Sequence, residues 1–159
     1  MSDTSLALTP TAGNATQGFW SPSEGLVQNN STGSTSRTTE TPLIYVVDDM
    51  PNLTELYTIL LEEIGCVVRA FNDRAEALAV LKTTTEKPDL LITDYLGHSI
   101  PVDEFIHDCL VVHPTLRILM ASGFDQTVMR VPQIRADRFI PKPFDPEDLQ
   151  QEVRAALIA

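Results

Sequence analysis

LIYVVDD, residues 43–49, decides the fold: five apolar residues in a row, closed by two carboxylates, Asp48 and Asp49. The same outline recurs. DLLITD closes on Asp94, RILMAS closes on Ser122, and RFIPKP carries Lys142 and Pro143 just past its apolar residues. In an open parallel α/β sheet the C-terminal ends of the strands face one crevice, and ligands bind there. Residues far apart in the chain then become neighbours. The sequence predicts a pocket with three carboxylates, one hydroxyl and one ammonium, a set suited to a divalent cation and a phosphoryl group.

Between these runs lie helical signals. The first helix is expected over residues 51–64, with Pro51 tolerated in its first turn. Leu53, Leu56, Tyr57, Leu60 and Ile64 form its apolar stripe, and Gly65 ends it. The second strand is residues 66–71. The second helix runs over 73–82 with Asn72 as its cap. Leu90 to Thr93 are apolar throughout, as in a strand buried on both faces. Helices follow over 103–112, 125–131 and 146–158, the last capped by Asp145, with strands at 116–121 and 138–140 between them. Five strand–helix units predict a doubly wound five-stranded parallel sheet with helices on both faces.

Residues 1–41 have a different composition. Ser, Thr, Asn, Gln, Gly and Pro dominate, and the charged residues are Asp3, Glu24, Arg37 and Glu40. Such a segment has too little apolar surface to offset ordering entropy, so a disordered tail is expected, with the folded domain over 42–159. The Phe19-Trp20 pair reads as incidental, with a docking motif as the other possibility. The glycosylation-like triplets at Asn14 and Asn30 read as chance, because no secretory signal accompanies them.

The 159 residues carry 11 Lys and Arg against 22 Asp and Glu, a net charge of −11. That balance argues against direct binding to nucleic acid or an anionic membrane. No apolar run reaches transmembrane length. The two cysteines, Cys66 and Cys109, have no metal-binding spacing and read as buried thiols in a reducing cytoplasm.

Adjacent carboxylates also occur as caps and turns, and a lone acid after a strand is common. Together the three differ. Two carboxylates about 4 Å apart repel by roughly 4 kcal/mol at an effective dielectric of 20. Mg²⁺ offers a counter-charge: it takes oxygen ligands and often completes its shell with phosphate. Lys142 offers a second, compact cation, and Ser122 a hydroxyl that can donate to the same oxygen. A carboxylate can attack phosphorus to form an aspartyl-phosphate, and that transfer needs positioning and charge neutralisation more than acid–base work. No further strong base is expected in the crevice.

VVDDMPN, KPDLLITDY, LMASG and RFIPKPF, in this order and spacing, resemble the receiver domain of bacterial two-component response regulators over residues 42–159. The resemblance implies a (βα)5 flavodoxin-like fold. It implies Asp94 as phosphoacceptor, Asp49 as a direct Mg²⁺ ligand with Asp48 assisting through water, and the Leu96 carbonyl as third protein ligand. Lys142 would contact the phosphoryl group, its bond to Pro143 would be cis, and Ser122 and Phe139 would form a switch pair. The expected partner is a histidine kinase or histidine phosphotransfer protein. With no output domain expected after the last helix, output would be protein–protein contact or phosphate relay, and helix 125–131 with Phe124 and Val128 would feel the switch. On this reading the chain is a phosphoacceptor rather than an enzyme.

The alternative is a degenerate receiver that binds partners without phosphorylation. A flavin-binding relative would need a Ser/Thr/Gly-rich loop where DDMPN stands. A phosphatase with an aspartyl nucleophile would space its two acids differently from Asp48-Asp49. The chain departs from the receiver pattern after Asp94, where Gly97-His98 replaces the usual Met-Pro pair and Val102 replaces a later Gly. Thr54 stands where Arg is frequent. His98 is expected to be a solvated loop residue, because Mg²⁺ disfavours imidazole, and His107 and His113 to lie on a helix surface.

Overall fold

The computed structural model describes residues 41–123 and 134–159. The expected tail through residue 40 and the expected helix 125–131, with Phe124 and Val128, lie outside them. The described elements are β1 (Leu43–Val47), α1 (Pro51–Glu62), β2 (Val67–Phe71), α2 (Arg74–Thr83), β3 (Leu90–Asp94), α3 (Val102–Val112), β4 (Arg117–Ser122), β5 (Arg138–Pro141) and α4 (Pro146–Ile158). All five strands are parallel, in the order β2-β1-β3-β4-β5. The doubly wound sheet read from the sequence is the one observed.

Alternation along the central strands divides the core into two layers, since successive side chains point to opposite faces. Tyr45, Val47, Leu91, Ile118 and Met120 pack with Ala77 and Leu81 of α2 and Phe105 and Ile106 of α3. Ile44, Val46, Ile92, Leu119 and Ala121 pack with Tyr57 and Leu61 of α1 and Leu149 and Val153 of α4. Each large apolar side chain buried in this way contributes about 1.5–3 kcal/mol. The half-exposed Arg138–Glu152 pair, at 2.9 Å, contributes about 0–1 kcal/mol, so the two apolar layers hold the domain.

Several local readings change. The buried stripe of α1 is Thr54, Tyr57, Leu60 and Leu61, while Leu56 is exposed. Cys66 is buried just before β2, not within it. Burial pushes the Cys109 thiol up to about 12. His107 is exposed as expected, but His113 is half-buried at the end of α3, with its Nε2 3.0 Å from the Pro88 carbonyl oxygen.

The cap of α2 is Asp73, not Asn72: its Oδ2 accepts from the Ala75 and Glu76 N–H groups at 3.1 and 3.3 Å. Asn72 instead donates from Nδ2 to the Asp48 carbonyl at 2.9 Å and to Thr54 Oγ1 at 3.3 Å, tying the end of β2 to the start of α1. Ser99 Oγ donates to Asp73 Oδ1 at 3.0 Å. The Ser99 hydroxyl and, against some desolvation, the two capping N–H groups hold the Asp73 carboxyl below its usual range. A lowered folded value gives stability that is present above the unfolded carboxylate range and lost as pH falls through the lower folded one. We expect Asp73→Ala to destabilise the domain by about 1 kcal/mol near neutral pH, with the gap closing in acid. Urea titrations at two pH values check this, and a gap that widens in acid would contradict it.

Candidate functional site

The strand order reverses between β1 and β3, so a crevice opens at their C-terminal ends. β1 delivers Asp48 and Asp49 to it, β3 delivers Asp94, β4 delivers Ser122 and β5 delivers Lys142. Lys142 N donates to the Ser122 carbonyl at 2.7 Å, joining the last two strand ends, and the Lys142–Pro143 peptide is cis.

The two adjacent acids have different surroundings. Asp48 is buried, accepting from Met50 N–H at 2.9 Å on Oδ1 and from Lys142 Nζ at 2.5 Å on Oδ2. Asp49 is exposed, with its carboxylate against Gly97. Gly97 holds φ +74, a backbone conformation that favours glycine, and a Cβ there would fall 2.3 Å from Asp49 Oδ2, the far end of an exposed side chain that would have to turn away.

Asp94 is 8% exposed. Its Oδ1 lies 2.8 Å from His98 Nε2 and 3.4 Å from Arg74 Nη2. An ionised carboxylate can only accept, which places the imidazole proton on Nε2. Burial raises the Asp94 carboxyl above its usual range. His98 opposes that, Asp48 adds to it and Arg74 opposes it.

Neither of these two partners was expected at Asp94. His98 is not solvated: its side chain is 1% exposed and points into the crevice. Arg74, 2% exposed, also donates to the Asp94 carbonyl at 2.5 Å and to the Ile100 carbonyl at 2.8 Å, and lies over the Phe105 ring. One signal for Arg74 was present in the sequence. A cation in the first turn of a helix opposes the macrodipole, and such a local conflict marks a residue placed for another reason.

Three successive loop residues are therefore anchored: His98 to Asp94, Ser99 to Asp73 and Ile100 to Arg74. This is the shape that Gly97-His98 gives the loop. The exposed Leu96 lines a pocket of about 140 Å³ with Asp94, Tyr95, Ala121, Ser122, Gly123 and Lys142. At about 30 Å³ per water, that volume has room for the three oxygens of a phosphoryl group. Phe139 is half-buried and packs on the layer that contains α2 and α3.

The donor set fits a divalent cation. Asp49, Asp94 and His98 each offer a ligand atom, all within 4.8 Å of one another. Ser122 is buried and Lys142 half-buried beside them.

The family model for the response regulator receiver domain matches residues 44–154. The chain belongs to that family. Among its relatives, the DNA-binding response regulator MtrA of Mycolicibacterium smegmatis is 33% identical over 118 residues, covering 72% of this chain and 50% of that protein. The alkaline phosphatase synthesis transcriptional regulatory protein PhoP of Bacillus subtilis is 33% identical over 116 residues, covering 72% and 48%. The chain thus spans about half the length of these relatives. Among solved structures, the response regulator TrrA of Thermotoga maritima in complex with Mg²⁺-BeF aligns with TM-score 0.64 at 26% identity, over 74% of this chain and 100% of that one. The receiver domain of this chain has no described helix long and apolar enough to cross a membrane.

Proposed function

We propose that this receiver domain is the phosphoacceptor of a two-component or phosphorelay system, phosphorylated on Asp94 by a histidine kinase or histidine phosphotransfer protein. The observation that carries this reading is the pocket of about 140 Å³ in which Asp94 meets Ser122 and Lys142. Both contacts on Asp94 fall on Oδ1, which leaves Oδ2 as the attacking atom. A carboxylate oxygen forms the new bond to phosphorus while the bond to the donor's nitrogen breaks, and the electron pair leaves with the imidazole. Lys142 neutralises the arriving oxygens, and the Ser122 hydroxyl donates to one of them. Asp49 and Asp94, with the Leu96 carbonyl, would hold Mg²⁺ beside them, which would supply further positive charge against the phosphoryl oxygens. Asp48 holds Lys142 in place.

Ser122 moving toward the phosphoryl group would free space for the Phe139 ring, the two-state element of this reading. The charge of −11 supports output through protein contact rather than through DNA. The DNA binding in the name of MtrA belongs to a protein of which this chain spans half. Two buried unpaired thiols suit a cytoplasmic setting. The chain on this reading assists its own phosphorylation and is not an enzyme.

A second reading, a partner-binding domain that works without phosphorylation, draws on the engagement of Asp94 Oδ1 by His98 and Arg74. Intact-mass measurement after incubation with acetyl phosphate and Mg²⁺ separates the two. We expect one phosphoryl group per chain, lost in Asp49→Ala at limiting Mg²⁺. An unchanged mass for the wild-type chain would favour the second reading.

A further inference from the structure

The loop after Asp94 gives the crevice a donor that an all-oxygen Mg²⁺ site lacks. His98 brings an imidazole nitrogen to 2.8 Å from Asp94 Oδ1, and Asp49 completes a group of three ligand atoms within 4.8 Å. We propose that Asp49, Asp94 and His98 Nε2 form a mixed oxygen–nitrogen site that takes a borderline divalent cation (Mn²⁺, Co²⁺ or Zn²⁺) in preference to Mg²⁺. This rests on reading Asp49 and Asp94 as the cation ligands of the crevice.

Three observations support it. The first is spacing: His98 Nε2 and ligand oxygens of Asp94 and Asp49 all lie within 4.8 Å of one another, and two donors each about 2.0–2.1 Å from one cation lie roughly 2.9 to 4.2 Å apart, so small side-chain movements close the group once the His98–Asp94 hydrogen bond gives way to the cation. The widest separation in the group is closed by Asp49, whose side chain is exposed and has freedom to change rotamer. The second is preorganisation. His98 has a side chain 1% exposed, and it follows a glycine whose φ of +74 and missing Cβ, with Asp49 in that space, set the path of the loop. Ser99 and Ile100 are anchored to Asp73 and Arg74 directly after it. The third is ligand chemistry. Imidazole suits first-row transition ions, whereas Mg²⁺ takes oxygen and keeps its waters. On binding, Nε2 gives its lone pair to the cation, with the ring proton on Nδ1.

The other role for His98 is orientation of Asp94 alone, and the two make different predictions. An orienting residue supports every cation alike, whereas a ligand supports only cations that accept nitrogen. The test titrates the full chain with Mg²⁺ by calorimetry and with Co²⁺ by its visible absorption and by paramagnetically shifted imidazole NMR signals. His107→Ala is present throughout, to remove an exposed surface chelator. We expect Co²⁺ to bind about tenfold or more tighter than Mg²⁺. His98→Asn should weaken Co²⁺ by about 100-fold or more, beyond the roughly 10- to 100-fold that losing an outer-shell partner costs, and abolish the shifted signals while Mg²⁺ binding stays within about twofold. Retained Mg²⁺ binding also shows that the variant is folded. Equal Co²⁺ affinity in both proteins, or parallel loss of both metals, overturns the proposal. Asp49→Ala that changes neither metal would instead bring down the reading of the crevice as a cation site.

Discussion

Asp94→Asn is expected to abolish acid-labile phosphorylation by acetyl phosphate and Mg²⁺ while leaving a folded domain. The amide lone pairs are delocalised and do not attack phosphorus, so the loss should be complete. The side-chain oxygen of Asn still accepts from His98 and Arg74, whose donors now lie 2.8 and 3.4 Å from Oδ1. The variant should also show an opposite effect on stability. Burial raises the folded value of the Asp94 carboxyl above its usual range, so the folded state holds the proton more tightly than the unfolded chain does. The associated stability is present below the unfolded carboxylate value and is lost as pH rises through the raised folded one. Asn imitates the protonated form and keeps that stability, so it should melt above wild type near neutral pH, with the difference fading in acid. Intact-mass labelling and thermal melts at two pH values check both parts. Full labelling of the Asn variant would show that the phosphoacceptor lies elsewhere.

Arg74→Met should produce the largest loss of stability of any change near the crevice. The guanidinium is buried, serves the carbonyls of Asp94 and Ile100, and is a fixed positive charge beside the Asp94 carboxylate. Met fills much of the volume but donates nothing, so the Ile100 carbonyl loses its charged donor, while the Asp94 carbonyl keeps only Thr93 Oγ1 and the Asp94 carboxylate only His98. Leaving a buried acceptor without its donor costs about 1–3 kcal/mol, and with the carbonyls of Asp94 and Ile100 both affected Tm should fall by roughly 10 °C. Burial already holds the Arg74 guanidinium below its usual range, which places the effect at the lower end. Arg74→Lys should recover only part of it, because a single ammonium cannot reach both carbonyls and the carboxylate as a planar fork does. Urea denaturation of the two variants measures this. A Met variant as stable as wild type would mean that the pair contributes nothing.

The parts legible in the sequence were those that depend on repetition and on the ends of strands. Unbroken apolar runs marked β1, β3 and β4, and the strand–helix alternation placed helices on both faces of the sheet. Any parallel sheet of this winding carries its strand ends to one crevice, so strand-end position alone gathers Asp48, Asp49, Asp94, Ser122 and Lys142. The local signals were less decisive. Asn72 and Asp73 are both good caps, and the choice between them turned on Asn72 being needed at Asp48 and Thr54. The stripe of α1 shifted from Leu56 to Leu61 because the helix face is set by the strands it covers.

The sequence by itself determined the sheet, its winding and the main carboxylate, hydroxyl and ammonium groups of the crevice, because periodicity and strand-end position are properties of the chain read in order. Only the tertiary structure decided what surrounds Asp94. Arg74 reaches Asp94 from the first turn of α2, and His98 turns inward because Gly97 takes a positive φ against Asp49. Neither placement has a period or a propensity behind it. Each follows from where a loop is anchored by residues distant in sequence, and that is settled only when the strand ends meet.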